Sequence, residues 1–176
     1  VAMLDIDHGL FAADFRGAEK MGQLLEQVAG RAGRADKPGR VLIQSRFAEH
    51  PLIQTLLQSG YQRLARLLLR ERQLVGLPPY TYMALIRAEH ADAYRAEQLL
   101  ERWRELLRSL DDSRVQVSGP FPAIMERRAG FYRFDLQLKS PNRAALQKKL
   151  SLFCGCIERE SLPKGIRWSL DVDPSG

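Results

Sequence analysis

The first quarter of the chain carries apolar residues with helical spacing. Four of them fall at i, i+3, i+4 and i+7, namely Met21, Leu24, Leu25 and Val28. This spacing predicts a helix that follows Phe15, is capped by Asp14 and ends near Arg34, with one face packed inward. The apolar run Arg40–Ser45 then predicts a short strand with a buried core. A helix followed by a strand is typical of the tail of an α/β lobe, which the chain enters partway.

Two more helices are predicted on either side of Gly60. The first covers residues 49–59, with Pro51 in its first turn, and the second covers residues 61–75. Four leucines of the second helix are predicted to face inward: Leu64, Leu67, Leu68 and Leu74. Its arginines are predicted to cover the remaining surface: Arg63, Arg66, Arg70 and Arg72. We interpret them as solvated charges with i,i+4 partners, and a phosphate-tracking face is the alternative.

Residues 81–176 have the most regular pattern of the chain. Strands are predicted over residues 82–88, 114–118, 132–139 and 166–172. Helices are predicted from Ala96 to Leu110 and from Pro141 to Ile157, and a long loop is predicted to begin at Gly119. The order β-α-β-β-α-β is that of the split βαβ, or ferredoxin-like, plan. In that plan two helices cover one face of an antiparallel sheet.

These elements divide the chain into three predicted segments. Residues 1–47 form the end of an α/β lobe, and residues 48–80 form a helical connector that Gly-Leu-Pro-Pro closes at 76–79. Residues 81–176 form a C-terminal split βαβ domain. The predicted fold class is therefore α/β followed by α+β.

Composition and charge leave several classes of partner open. The 176 residues include 27 basic and 21 acidic side chains, which give a net charge of +6 and permit a polyanionic partner. Because no apolar run could span a bilayer and no leader opens the chain, we expect a soluble, cytoplasmic protein without a membrane partner.

Cys154 and Cys156 are interpreted as apolar filler, since two ligands without nearby histidines are too few for zinc. No metal site is predicted in this chain.

One candidate site lies at the end of the first predicted helix. At about 100° per residue, Gln27, Arg31 and Arg34 fall within roughly 60° of one another. Two guanidinium groups held on one rigid element suit a phosphate chain. Gly30 and Gly33 each cost about 1 kcal/mol of helix stability, which suggests that something approaches the backbone. The alternative is a solvated basic helix end that complements the helix dipole.

A second candidate surface combines cations with aromatic rings near the last hairpin. It consists of Arg127, Arg128, Phe131, Arg133 and, near the start of the following helix, Arg143. Cations can track phosphates while rings stack on bases, and Phe131 is the better stacking residue because Tyr132 faces the core by alternation. An acidic peptide would suit the same patch. The alternative is a solvated hairpin.

The stretch Gln-x-x-Gly-Arg-x-Gly-Arg resembles motif VI of superfamily 2 helicases. Further stretches narrow the resemblance, among them Ala13-Asp14-Phe15-Arg16, Glu49-His50-Pro51, Pro78-Pro79, Gly130-Phe131-Tyr132-Arg133 and Asp171-Val172-Asp173-Pro174. Together they resemble the C-terminal portion of the primosomal replication-restart DNA helicases, over nearly the whole chain. The resemblance implies the end of RecA-like helicase lobe 2, two linking helices, and a C-terminal domain like a small ribosomal protein of the split βαβ kind.

The resemblance also implies roles for particular residues. Arg34 would be the finger on the γ-phosphate, Arg31 would contact phosphate or the cleft, and Gln27 would orient the attacking water. The parent enzyme would use ATP and Mg²⁺ to translocate 3′ to 5′ along DNA, recognise stalled or repaired replication forks and direct primosome assembly. Its zinc ligands are not in this chain. Because the Walker motifs are also absent, we expect no ATP hydrolysis from this chain alone.

The implied partners are forked or single-stranded DNA, the acidic tail of single-stranded DNA-binding protein, and other primosome proteins, in the nucleoid region of a bacterial cytoplasm. Two other classes stay open. One is a stand-alone nucleic-acid-binding module resembling a small ribosomal protein. The other is a different superfamily 2 member, such as a DNA-repair translocase, against which the split βαβ tail argues.

Overall fold

The computed structural model describes residues 1–32, 39–110 and 113–174. It separates into two compact units, Val1–Val75 and Gly76–Pro174. The first unit contains a pair of parallel strands with helices, and the second contains a four-stranded antiparallel sheet with helices. The predicted mixture of helices and strands is therefore confirmed. The three-segment division of the chain remains a prediction.

The first unit is built around two short parallel strands. Its described elements are β1 Ala2–Met3, α1 Asp7–Leu10, α2 Gly17–Ala32, β2 Leu42–Ile43 and α3 Pro51–Leu74. Ala2 lies opposite Leu42, and Met3 lies opposite Ile43. The predicted buried core of the second strand is wrong, because Leu42 is 68% exposed. Side chains alternate along a strand, so Ile43 packs against the core while Leu42 turns away.

Helix α2 packs through a narrower face than its spacing predicts. Met21 and Leu25 are buried, but Leu24 is 52% exposed, so the inward prediction for Leu24 is wrong. The contact is close at Gly22, where an added Cβ would come within 2.7 Å of Leu64 on α3. A small residue at this point lets the two helix backbones approach.

Helix α3 confirms the predicted break at Gly60, whose φ of 75° is non-helical. Leu64 and Leu68 are buried as predicted, but two other predicted inward residues are exposed, Leu67 and Leu74. Arg72 is buried instead, which corrects its interpretation as a surface charge. Residues 64, 68 and 72 share one helical stripe, so the position of Arg72 follows from the period.

The second unit has the element order β-α-β-β-α-β. Its bounds are β3 Tyr82–His90, α4 Ala93–Ser109, β4 Gln116–Arg128, β5 Phe131–Ser140, α5 Arg143–Ile157 and β6 Arg167–Val172. The strands lie side by side in the order β4-β5-β3-β6, and each neighbouring pair is antiparallel. Both helices pack against one face of this sheet, with Trp103 fully buried between the rings of Phe153 and Trp168.

The loop predicted to begin at Gly119 is wrong. β4 continues through Gly119 to Arg128 and pairs with β5, with register shifts between Ser118 and Phe121 and between Pro122 and Arg127. β4 is an edge strand, and such bulged edges accommodate proline, which cannot donate to a ladder. The two prolines that suggested a loop are therefore compatible with a strand.

Candidate nucleotide-contacting helix and nucleic-acid interface

The last turns of α2 present two of the three residues predicted to face nucleotide phosphates. Gln27 and Arg31 are both exposed and lie one turn apart on the same side of the helix. Within the described ranges, no hydrogen bond or ion pair engages either side chain. Arg34 and Gly33 lie outside the described residues. The predicted cluster is therefore placed for Gln27 and Arg31 alone.

Gly30 lies between these two residues on an open part of the helix. A Cβ added at Gly30 would meet nothing within 4 Å. Packing among the described residues therefore gives no reason for a glycine here. The open backbone leaves room for a bulky group to approach α2 beside Arg31.

The β4–β5 hairpin places the predicted basic and aromatic residues together. Its turn is Ala129-Gly130, and both residues have positive φ, 50° and 83°, as a two-residue turn of the type I′ class requires. Arg128 lies opposite Phe131 across the hairpin. The guanidinium of Arg127 lies 5.1 Å from the centre of the Tyr132 ring. Arg127 and Arg128 are exposed at the tip.

Phe131 faces the side of the sheet that the helices leave uncovered. Phe134, Leu136 and Leu138 belong to the core under the helices, so the odd-numbered residues of β5 face the other way. On that face the guanidinium of Arg167, on β6, lies 4.5 Å from the centre of the Phe131 ring. Sequence reasoning missed Arg167, because only the pairing of β3 with β6 brings it beside β5.

Two ion pairs cross the same face between β3 and β5. Arg87 donates two hydrogen bonds to the Asp135 carboxylate, at 2.7 and 2.8 Å, and Arg133 donates to Glu89 at 2.8 Å. The Asp135 carboxylate raises the pKa of the Arg87 guanidinium. Arg133, predicted as a binding residue, is thus nearly buried and engaged by Glu89. Its guanidinium joins β5 to β3 across this face of the sheet.

Arg143 does not join the other predicted binding residues. It is the first residue of α5 and follows β5 at the end away from the hairpin turn. The ten residues of β5 separate it from Phe131 by about 30 Å along the strand. Of the five predicted residues, the structure therefore brings three together at the hairpin, Arg127, Arg128 and Phe131, and it adds Arg167 beside them.

Exposed apolar side chains accompany the cations on this hairpin. Phe121, Ile124 and Met125 of β4 are all more than half exposed. We call the group of Phe121, Ile124, Met125, Arg128, Phe131 and Arg167 the hairpin patch. Arg127 lies on the ring of Tyr132, which packs against the core under the helices, so it is on the opposite side of the hairpin. In the described residues, Arg128 and Arg167 form no ion pair, so their charges are available to an anionic ligand. Apolar groups beside free cations suit either stacked bases or an acidic peptide with apolar side chains.

The described residues also bear on metal binding, disulfide formation and membrane insertion. Among residues 1–32, 39–110 and 113–174, no group of three or more His, Cys, Asp or Glu side chains is placed to hold a metal ion. Cys154 and Cys156 are free thiols. None of the helices in these ranges is long and apolar enough to cross a bilayer.

Residues 73–175 match the family described as the primosomal protein N C-terminal domain, and the chain belongs to that family. Over 99% of its length it is similar to proteins named replication restart protein PriA. The protein from Haemophilus influenzae is 43% identical over 176 residues, and the one from Bacillus subtilis is 32% identical over 174 residues. The predicted resemblance to the C-terminal portion of this helicase family is confirmed.

The chain spans about a quarter of the length of these relatives, 24% and 22% respectively. Among solved structures, the de novo designed protein Foldit4 is 13% identical and covers 53% of this chain and 97% of its own. Its TM-score of 0.40 is below the level at which a shared fold can be asserted.

Proposed function

We propose that this chain is the C-terminal part of an ATP-dependent 3′–5′ DNA helicase that recognises stalled or repaired replication forks and directs primosome assembly for replication restart. The observation that carries the proposal is the similarity of 99% of the chain to proteins named replication restart protein PriA. A stand-alone nucleic-acid-binding module would account for residues 73–175. It would not account for similarity that extends through the first unit.

The first unit would contribute to ATP hydrolysis in the parent enzyme. Arg31 and Gln27 project from an exposed helix face beside an open Gly30, and Arg34 follows three positions after Arg31 in the sequence. An arginine that reaches a γ-phosphate stabilises transition-state charge and raises phosphoryl-transfer rates by about 10³–10⁵. The other lobe of the parent would hold the ATP, its Mg²⁺ and the phosphate-cradling loop. The parent's zinc ligands would lie in another segment.

The test is DNA-stimulated ATPase activity of the full-length parent. We expect Arg34→Ala to lower kcat at least 100-fold and Arg31→Ala to lower it at least tenfold, because both remove charge from the transition state. Arg66→Ala is the matched control, since Arg66 is an exposed arginine on α3. ATPase activity of Arg34→Ala equal to that of Arg66→Ala would show that the finger is another residue.

The second unit would bind DNA or an acidic partner through the hairpin patch. Supporting this are two unpaired cations, Arg128 and Arg167, on either side of Phe131. The proposed ligands are forked or single-stranded DNA, the acidic tail of single-stranded DNA-binding protein, and other primosome proteins. Parent and chain would act in the bacterial cytoplasm at the nucleoid.

Separate titrations distinguish the two ligand classes. The chain is titrated with labelled forked DNA and with an acidic-tail peptide at low salt. Arg128→Ala and Arg167→Ala should each lower the affinity for the true ligand several-fold. For DNA, each should also reduce the slope of log affinity against log salt concentration by about 1. Arg108→Ala, at the far end of α4, is the charge-matched control. Binding of neither ligand would remove the hairpin patch from the proposal.

We also propose a RecA-like origin for the first unit and the ferredoxin-like, split βαβ plan for the second. The parallel strands β1 and β2 support the former. The element order β-α-β-β-α-β and the strand order β4-β5-β3-β6 support the latter. An experimental structure of the parent in which residues 1–47 complete a parallel sheet would test the first of these assignments.

A further inference from the structure

A crevice lies at the carboxyl ends of the two parallel strands of the first unit. It measures about 450 Å³ and is lined by Asp5, Asp7, His8, Phe11, Ala12, Arg46 and Phe47. Because β1 and β2 are parallel, the segments that follow them leave the sheet at the same edge. This edge is where ligands bind in open α/β sheets, and the volume is in the range of small-ligand sites. We call it the strand-end crevice.

Hydrogen bonds hold the two walls of the crevice together. The backbone N–H of Gln44 donates to the carbonyl of Met3 at 2.9 Å. The Asp7 carboxylate accepts from the Ser45 hydroxyl at 2.6 Å and from the Arg46 backbone N–H at 3.0 Å. These two donors hold the pKa of Asp7 below its usual range, so the carboxylate is ionised and occupied within the wall. The crevice is therefore preorganised before any ligand enters.

Two phenylalanine rings are exposed at this crevice, and the local sequence pattern gives no reason for their exposure. Phe11 is 58% exposed and Phe47 is 47% exposed, with ring centres 4.7 Å apart at an interplanar angle of 69°. The centre of the His50 ring lies 6.1 Å from that of the Phe11 ring. Backbone hydrogen bonds position both residues, from Phe11 N–H to Asp7 and from Phe47 N–H to the Ser45 hydroxyl.

The crevice presents one arginine, Arg46, together with the carboxylates of Asp5 and Asp7. Arg46 is exposed and forms no ion pair with any described residue, although its charge contributes to the lowered pKa of Asp7. The acidic groups are already engaged, Asp7 by its two donors and Asp5 by His8 at 3.1 Å. One exposed cation next to two half-exposed rings matches one nucleotide unit, with the base on a ring and the phosphate on the guanidinium.

We propose that the strand-end crevice is a base-stacking site for single-stranded DNA, with Phe11 and Phe47 as the stacking platform and Arg46 as the phosphate contact. The choice of DNA over other anionic aromatic ligands rests on the proposed helicase function. The site itself rests on the two rings, the exposed guanidinium of Arg46 and the crevice. It is distinct from the hairpin patch, which belongs to the second unit.

Photocross-linking of the 176-residue chain locates the site directly. Single-stranded DNA carrying 5-iododeoxyuridine is irradiated in complex with the chain, which is then digested with trypsin. The crevice rings lie on the peptides Val1–Arg16 and Phe47–Arg63, whereas Phe131 lies on Ala129–Arg133. Adducts on the first two peptides are the expected result. Adducts confined to the hairpin peptides would overturn the crevice assignment and leave the proposed DNA-binding function standing.

Substitutions test the same site by affinity. Phe11→Leu and Phe47→Leu keep apolar volume but remove the ring, and each should weaken binding of a short oligonucleotide about tenfold. Arg46→Gln, which keeps the backbone hydrogen bond to Asp7, should reduce the salt slope by about 1. Tyr94→Leu is the matched control, because Tyr94 is an exposed ring on α4 outside both proposed sites, and it should leave the affinity unchanged. Wild-type affinity in all three crevice variants would refute the proposal.

A length series separates polymer from free nucleotide. We expect oligonucleotides of several residues to bind far more tightly than thymidine monophosphate. Equal affinity of the mononucleotide would replace DNA by a free nucleotide as the ligand and overturn this inference. Such a result would not touch the proposed parent function, which depends on the ATPase activity of the arginine variants.

Discussion

Arg72 allows a sharp test of what holds the first unit together. Its guanidinium is 11% exposed and donates to the Glu19 carboxylate at 2.6 Å and to the Phe15 carbonyl at 3.2 Å. It also lies 4.9 Å from the centre of the Phe15 ring. These contacts join the end of α3 to the start of α2. Replacing Arg72 with Met keeps the apolar stem and the helix propensity but removes every one of them.

The expected loss in the free energy of unfolding is about 2–3 kcal/mol. A hydrogen bond to a charged group contributes about 1.5–3 kcal/mol, and a cation over a ring adds about 0.5–1 kcal/mol. The estimate stays below the 3–5 kcal/mol typical of broken buried pairs, because Glu19 is 31% exposed and also accepts from Gln23. Water and Gln23 therefore partly compensate the stranded carboxylate.

Urea unfolding followed by far-UV circular dichroism measures the loss, and hydrogen exchange assigns it to α2 and α3. Arg66→Met is the matched control, because Arg66 is exposed on the same helix and should change stability by less than about 0.5 kcal/mol. A double-mutant cycle with Glu19→Gln isolates the ion pair, and we expect a coupling of about 1 kcal/mol or more. If Arg72→Met and Arg66→Met unfold at the same urea concentration, the account of Arg72 is wrong.

Three further predictions concern single positions. Gly119→Ala should destabilise the second unit by about 3 kcal/mol, because φ at this position is +107° and the new Cβ would lie 2.6 Å from the Asp135 carbonyl oxygen. Unfolding monitored by tryptophan fluorescence measures the loss, and a loss under about 1 kcal/mol would contradict this prediction. The pKa of Asp7 is lowered from 3.8 by the Ser45 hydroxyl, so its stabilisation is complete above pH 3.8 and is lost as pH falls through the lower, folded-state value. The difference in unfolding free energy between wild type and Asp7→Asn should therefore shrink in acid, and a constant difference would refute the assignment. Asp92→Ala should cost about 1 kcal/mol by removing the N-cap of α4, with Asp92→Ser retaining most of the stability.

The second unit shows where periodicity is sufficient. Apolar residues at helical spacing in α4 and α5, among them Leu100, Leu107, Leu146 and Phe153, are buried under the sheet. Each of these elements packs against a single partner surface, so the period of the apolar residues determines which side is buried. β5 behaves in the same way, because its even-numbered residues form the core under the helices.

Local signals failed where a neighbouring element changed the outcome. The Gly-Pro and Phe-Pro dipeptides after Ser118 are typical of a loop, yet β5 supplies a pairing partner and the chain continues as a bulged edge strand. Leu74 was expected inside on hydrophobicity alone, but Arg72 occupies the buried stripe because Glu19 and the Phe15 carbonyl satisfy its donors. Hydrophobicity does not reveal whether a charged residue will find such partners.

The candidate sites also contain some features that the sequence predicts and others that only the tertiary structure determines. Arg127, Arg128 and Phe131 are close in sequence across a tight turn, so the sequence by itself determined that they lie together, and it also indicated Gln27 and Arg31 as one helix face. Only the tertiary structure decided the rest. It added Arg167 to the patch through the pairing of β6, separated Arg143 from the patch by the length of β5, and engaged Arg133 with Glu89.

The strand-end crevice is the clearest case of what only the fold decides. Phe11 and Phe47 are 36 positions apart and share no periodic signal, and they meet because two parallel strands end at one edge. Sequence determines which residues share a face of one element, since that depends on a fixed period along the chain. Which elements become neighbours depends on long-range packing and register, and those distant contacts are what assemble a site.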